Sequence, residues 1–281
     1  MMGIATLNPS YTCCKHAFVR EFMCPDTNAG EYTASELLAV MSSRLLKDGQ
    51  IVFAGVGIPL LAATLAQGLH CPGLTILFEG GVIGPVIEPG KLPPSTNEQR
   101  CTIRANMVLS STDVLLLLQR GYVDVGFMGG AQIDQHGNLN SSFIGDPARP
   151  KTRLPGTGGG NDIASLAHMI VAMKHEKRRF VANVDFVTSP GYLRGHTTRH
   201  DSGLPAGGMY RVVTDLGIFG FDEKTRRMNV VALHAGVTPE QVQDNTGFEL
   251  VTGPDIEVTQ CPAEAELEFL RKLDPHHLYT A

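Results

Sequence analysis

The sequence predicts one α/β domain built on a mixed sheet with helices against it. Three observations carry that prediction. Short apolar runs alternate with helical stretches early in the chain, as in a sheet with helical crossovers. Later runs read instead as a meander with a charged turn. No internal repeat and no linker splits the chain, and its 281 residues, 43% of them hydrophobic, suffice for one substantial core or two small ones.

Each element follows from local chemistry. Thr33 and Glu36 have capping-box spacing, and Leu37, Leu38, Met41, Leu45 and Leu46 give the apolar stripe of a helix that Gly49 stops. Ile51–Ala54 reads as a strand, and the turn Gly55-Val56-Gly57-Ile58-Pro59 leads into a helix over Leu60–Leu69. A second buried strand, Leu74–Phe78, ends at Glu79, and a glycine- and proline-rich loop covers 80–94. An apolar helix over Asp113–Gln119 closes at Gly121, before a strand over Val123–Met128. A tight connection follows over Asp134–Asn140. Gly156-Thr157-Gly158-Gly159-Gly160 opens a helix expected over Asp162–Lys174, and Phe180–Thr188 reads as a strand. Met209–Thr214 and Met228–Leu233 are expected to pair antiparallel around the turn Asp222–Arg227. Thr238 and Pro239 start a short helix, and Ala263–Leu273 is the last, amphipathic one. Residues 1–31 lack clear periodicity and are expected to form a poorly structured extension before a domain over 32–281.

Charge and cysteine content exclude several classes. The net charge is −5 with no long block of one sign, which argues against nucleic acid and anionic membrane partners. Lys174, Lys177, Arg178 and Arg179 read as a solvated helix end. No apolar run has the roughly 18 residues of a membrane span, and the first residues do not form a signal peptide. Six scattered cysteines, without metal-ligand spacing, fit a reducing cytoplasm.

Three features could carry chemistry. Glu79 follows a buried strand, and ligands of open α/β sheets bind at the carboxyl ends of strands. A glutamate, with a reference pKa of about 4.3, is ionised at neutral pH and needs no separate base to act as a nucleophile. The same pattern also fits a half-exposed glutamate that ends a strand and pairs with a cation. The turn at Gly55, Val56, Gly57, Ile58 and Pro59 lies where backbone N–H groups can receive an anion, but it lacks the third glycine of a dinucleotide fingerprint. The loop at Gly156–Gly160 could form a nest for a phosphate or an oxyanion. On spacing alone, tight packing at a strand-to-helix turn is the stronger reading of both loops. The histidines show no metal or triad spacing, and His234 reads as a structural histidine.

Several segments together resemble family I CoA-transferases, specifically their β-type subunits of the glutaconate and 3-oxoacid kind. Phe78-Glu79-Gly80-Gly81 is similar to the segment that holds the family's nucleophilic glutamate. Gly55-Val56-Gly57-Ile58-Pro59 is similar to its G-x-G-x-P turn. Gly129–Asp134 with Gly137, Asn138, Asn140 and Ile144–Asp146, then Pro150–Arg153 with Gly158 and Gly159, follow in the family's order. His175–Phe180, Val187–Gly191 and Asn245–Phe248 also match. Two departures stand out: Gly80 replaces a Ser or Asn after the glutamate, and Ala235 replaces a frequent Pro.

The resemblance implies a three-layer domain with a mostly parallel sheet, and CoA as a substrate and covalent intermediate rather than a permanently bound cofactor. It implies no metal. It implies Glu79 as the nucleophile of a ping-pong transfer through a glutamyl-CoA thioester, with Gly158 or Gly159 as oxyanion donor. The turn from Gly55 to Pro59 would border CoA. It also implies an α-type partner subunit in an α2β2 or larger assembly. Relatives of this fold that lack the glutamate hydrolyse or decarboxylate CoA esters, and a non-catalytic sensing module is a further alternative.

Overall fold

A computed structural model describes residues 32–205, 207–253 and 256–280. The extension expected over 1–31, with Cys13, Cys14 and Cys24, lies outside the described residues.

Helix α1 (Ala34–Ser43) starts on the expected capping box: Thr33 Oγ1 accepts from the Glu36 N–H, and a Glu36 carboxylate oxygen accepts from the Thr33 N–H. It stops at Ser43, short of Gly49. Leu45 and Leu46 N–H groups turn to Ser42 and Ser43 carbonyls, three residues back, and Gly49 at φ +76° delivers the chain to β1 (Ile51–Ala54). Helix α2 (Ile58–Leu69), β2 (Thr75–Leu77), β3 (Val82–Ile83) and β4 (Met107–Val108) follow. The last two lie in and beyond the region read as irregular loop. Helix α3 (Ser111–Gln119) carries its own capping box at Ser110 and Asp113. Next come β5 (Val125–Met128), a small hairpin of β6 (Gln132–Ile133) and β7 (Leu139–Asn140), and a projecting hairpin of β8 (Phe143–Asp146) and β9 (Arg149–Arg153).

Helix α4 (Gly160–Leu166) is much shorter than the expected 162–174, because His168–Ala172 is strand β10. This strand is buried between β5 and β11 (Gly208–Val213), so both of its faces must be apolar. An all-apolar run offers no period by which to tell strand from helix. The basic stretch is therefore a turn after a strand, where Arg178 and Arg179 pair with Glu176. Residues 180–188 do not form the expected strand. They make isolated bridges only, Ile133 with Phe180 and Leu139 with neighbouring Ser189, and Asp185 is held by the Gln132 side chain.

After the short helix α5 (Thr198–Asp201) and β11 comes β12 (Gly217–Phe221), an unexpected strand between the two runs read as partners. It pairs antiparallel with β11 and with β13 (Met228–Leu233), so β11 and β13 do not pair with each other. Its two glycines mask the strand pattern; a Cβ at Gly217 would lie 2.5 Å from the Ala232 carbonyl. Helix α6 (Pro239–Asp244), β14 (Glu257–Val258) and α7 (Glu264–Leu273) complete the described chain.

Among the described residues, ten strands form one sheet in the order β14-β13-β12-β11-β10-β5-β1-β2-β3-β4. The five from β11 to β2 are parallel. Side chains alternate between two cores. Val52, Ile76, Phe127 and Ile170 pack under α1, α2 and α7, while Phe53, Leu77, Met169 and Val171 pack against α3 and α4. The result is the expected three-layer arrangement. Parallel strands place the carboxyl ends of β1, β2 and β5 on one edge, and that edge holds the site.

Candidate active site

The chain leaves β2 through Phe78 and turns sharply. The Gly81 N–H donates to the Phe78 carbonyl at 3.0 Å, Gly81 sits at φ +96°, and a Cβ there would lie 2.0 Å from the Leu109 carbonyl oxygen. Only glycine satisfies both demands. The turn carries the Glu79 carboxylate over the ends of the strands. There the Gly159 N–H donates to Glu79 Oε1 at 3.0 Å. Cβ atoms added at Gly158 and Gly159 would stand 3.1 Å from Oε2 and 3.4 Å from Cδ. The glycines of this loop thus let the backbone lie directly on the carboxylate.

Glu79 borders a chamber of about 160 Å³. Its walls come from the ends of β1 (Phe53, Ala54, Gly55) and β5 (Phe127, Met128, Gly129), and from the loop at Gly156, Thr157 and Gly160. Gly55 is fixed there by its N–H bond to the Phe127 carbonyl at 2.8 Å. The rest of that turn diverges. Val56 is 43% exposed, and Gly57 opens α2. Ile58 packs on the core, and Pro59 is buried in the first turn of the helix. The structure therefore brings Gly55, Gly158 and Gly159 to Glu79 and places Ile58 and Pro59 in the packing of α2.

Three further residues that sequence reasoning misses line the chamber: Thr96, Ser141 and Ser189. Thr96 arrives with the loop that packs on Gly80, where a Cβ would meet the Thr96 carbonyl at 3.0 Å and Asn97 Oδ1 at 2.7 Å. Nothing in the local pattern marks Thr96. Ser189 lies within a segment that matches the family, and Ser141 follows Asn140 in another. Beneath them runs a buried polar network. Asn140 donates to Gln132 Oε1 and the Phe143 carbonyl, and its Oδ1 accepts from the Ser142 N–H. Arg199, only 5% exposed, donates to the carbonyls of Ala164, Ser165, Pro190 and Gly191. It thereby ties the end of α4 to the segment that follows Ser189.

The two buried histidines among the described residues serve packing. His175 follows β10 rather than lying on a helix. It stacks on Phe180 at 3.8 Å between ring centres, and its ring nitrogens face Thr214 Oγ1 and Thr246 Oγ1. Burial pushes its pKa down to about 3. His234 is buried and bonded to Thr259 Oγ1 and the Thr214 carbonyl, as the sequence suggested. Among the described residues no cluster of His, Cys, Asp and Glu could hold a metal ion, and no helix is long and apolar enough to cross a membrane.

Comparison with known proteins identifies the family and the fold. The coenzyme A transferase family model matches residues 35–245. The β subunit of glutaconate CoA-transferase from Acidaminococcus fermentans is 39% identical over 251 residues, covering 87% of this chain and 93% of that protein. The β subunit of 3-oxoadipate CoA-transferase from Pseudomonas knackmussii is 38% identical over 245 residues, covering 86% of this chain and 94% of its own length. The crystal structure of the Acidaminococcus fermentans glutaconate enzyme superposes with a TM-score of 0.84 at 36% identity, covering 91% of this chain and 98% of that one.

Proposed function

The chain belongs to the coenzyme A transferase family as a β-type subunit, and from that premise we propose that Glu79 is the nucleophile of a ping-pong CoA transfer between an acyl-CoA and a free carboxylic acid. One observation carries the reading: the Gly159 N–H already bonded to Glu79 Oε1 at 3.0 Å, at the wall of a chamber over the strand ends.

The chemistry follows from that contact. A Glu79 carboxylate oxygen attacks the thioester carbonyl carbon of acyl-CoA. The C–S bond breaks, CoA leaves as the thiolate, and an acyl-glutamyl anhydride remains. The thiolate then attacks Glu79 Cδ, the bond to the acyl carboxylate breaks, and the first acid departs from a glutamyl-CoA thioester. The acceptor carboxylate repeats these steps in reverse order. Attack on Cδ puts negative charge on a glutamyl oxygen, and the Gly159 N–H stands where Oε1 would receive that charge without reorganisation. The apolar walls of Phe53 and Phe127 keep water from the anhydride. Gly55, Val56 and Gly57 at the rim border the CoA moiety, and CoA enters as substrate rather than resident cofactor. The subunit works with an α-type partner in an α2β2 or larger assembly, in the cytoplasm, in carboxylic acid catabolism.

The test uses the chain co-expressed with an α-type subunit. After incubation with acyl-CoA, borohydride reduces the glutamyl thioester to an alcohol, read as a mass change on the peptide that carries residue 79. Glu79→Ala is expected to lose roughly 10⁴-fold or more in turnover and to show no adduct. Turnover that persists in Glu79→Ala, with nothing trapped, would sink the mechanism.

A further inference from the structure

The Gly159 N–H has no side chain of its own to hold it against Glu79. Its place is set by α4: the Gly159 carbonyl accepts from the Ile163 N–H at 2.9 Å, in the first turn of the helix. A helix of seven residues is about 10 Å long, and one so short depends on tertiary ties rather than on its own ladder. It lies close on the sheet, where a Cβ at Gly126 of β5 would stand 2.1 Å from Ile163 Cγ2.

Two side chains tie the helix to the 188–191 segment, one at each end. At its start, Asn161 Nδ2 donates to the Thr188 carbonyl at 2.9 Å. At its end, Arg199 Nη2 donates to the Ala164 and Ser165 carbonyls at 3.0 and 2.7 Å. Nη1 of the same guanidinium donates to the Pro190 and Gly191 carbonyls at 3.2 and 2.9 Å. The segment is itself fixed: the Gly191 N–H donates to Asn138 Oδ1 at 3.0 Å, and a Cβ at Gly191 would lie 2.3 Å from the Gly137 backbone. A buried charge is ordinarily paired with an opposite one. Among the described residues, the bonds of this guanidinium all go to carbonyl groups. Its planar fork serves as a bridge between two pieces of backbone.

We propose that Arg199 is a positioning residue for the transfer reaction: by fixing α4 against the 188–191 segment, it holds the Gly159 N–H at the Glu79 oxygen. The inference rests on the transferase reading, because that reading gives the Gly159 N–H its task. Arg199 does not line the chamber and acts only through the helix. A displacement of about 1 Å in a catalytic group can cost about 10²-fold in rate. A donor whose bond strengthens as charge gathers on the glutamyl oxygen governs turnover and not substrate binding, so its displacement lowers kcat and spares KM.

The experiment is a double-mutant cycle in the co-expressed two-subunit enzyme, assayed well below each variant's thermal midpoint. Arg199→Met is expected to lower kcat roughly 10- to 100-fold with KM unchanged. Arg199→Lys keeps a charge that cannot span both pairs of carbonyls, and falls between the two. The decisive arm adds Arg199→Met to Gly159→Val. Once the N–H is displaced, Arg199 has nothing left to position, so kcat of the double variant stays within about 3-fold of Gly159→Val alone, while the losses in thermal midpoint add. Asn161→Ala removes the exposed tie at the other end of the helix. It is expected to lower kcat roughly 3- to 10-fold, and it carries the same cycle if Arg199→Met does not fold. An unchanged kcat, a loss confined to KM, or losses in kcat that multiply with Gly159→Val would overturn the proposal. Borohydride trapping at Glu79 in the unaltered enzyme separates the two failures. A trapped adduct together with multiplying losses rejects the positioning role alone, whereas turnover without an adduct rejects the transferase reading beneath it.

Discussion

The two glycine loops at the strand ends look alike in sequence, and their glycines have different causes. In the first, Gly57 sits at φ +93°, and a Cβ there would meet nothing within 4 Å. Backbone conformation alone requires glycine. In the second, Gly158 has φ +50°, and its Cβ would stand 3.1 Å from Glu79 Oε2, tighter than an ordinary contact. There close approach to the carboxylate is added to conformation. The helices behind the loops differ too. Leu60, Leu61 and Leu65 of α2 are wholly buried, an apolar anchor, whereas the end of α4 is held by the Arg199 guanidinium on its carbonyls. A glycine cluster therefore reports on chemistry only where it is glycine for the sake of a neighbour.

Substitutions can break or sharpen this contrast. The largest effect is expected from Gly159→Val, whose branched side chain would push the carboxylate off its N–H donor. kcat should fall about 10²–10³-fold, the usual cost of a lost oxyanion donor, with little change in thermal midpoint. An unchanged kcat would show that close approach does not matter. Gly57→Ala should do the opposite. It stores about 1–3 kcal/mol of backbone strain, which lowers the midpoint by several degrees, while kcat of the folded enzyme holds. A collapse of kcat there would erase the distinction between the loops.

The smallest effect is a shared background that pH exposes. Burial holds the His175 imidazole neutral, with its pKa pushed down to about 3. In the unfolded chain it protonates near its ordinary value of about 6.5. Its contribution is therefore complete above that pH and is lost as pH falls from there toward 3. From pH 6.5 to 5.5 the loss amounts to about 1 kcal/mol, read as a falling midpoint of denaturation. His175→Gln should flatten that slope. Both glycine variants should keep it, since His175 bonds to neither loop.

Much of this architecture is legible in the sequence. The capping box at Thr33, the strand Ile51–Ala54 and the Pro-led start of α6 are local signals, and local physics governs them. The same holds for the position of Glu79 at a strand end. Strand β10 is not legible, because a centre strand covered on both faces follows α4 after only Ala167, with no glycine or proline between. The 180–188 segment has strand-like residues, but side chains and isolated bridges hold it rather than a ladder. Thr96, Ser141 and Ser189 reach one chamber from three separate loops, and no spacing in sequence encodes that meeting. Glu79 with Gly158 and Gly159 is accessible only through the ordered set of motifs; on spacing alone the glycines read as tight packing.

The turn after Glu79 also says how such chains can be found. Position 81 admits glycine alone, by conformation and by the carbonyl of Leu109 against it. Position 80 lacks a positive φ, but a Cβ there would stand 2.7 Å from Asn97 Oδ1 and 3.0 Å from the Thr96 carbonyl, so a side chain at 80 requires the 96–97 segment to sit differently. Backbone conformation fixes only the last position of this turn, so its signature is glutamate, a position set by the facing loop, then glycine. A pattern search that insists on serine or asparagine in the middle discards chains like this one, while one that leaves the middle open keeps them.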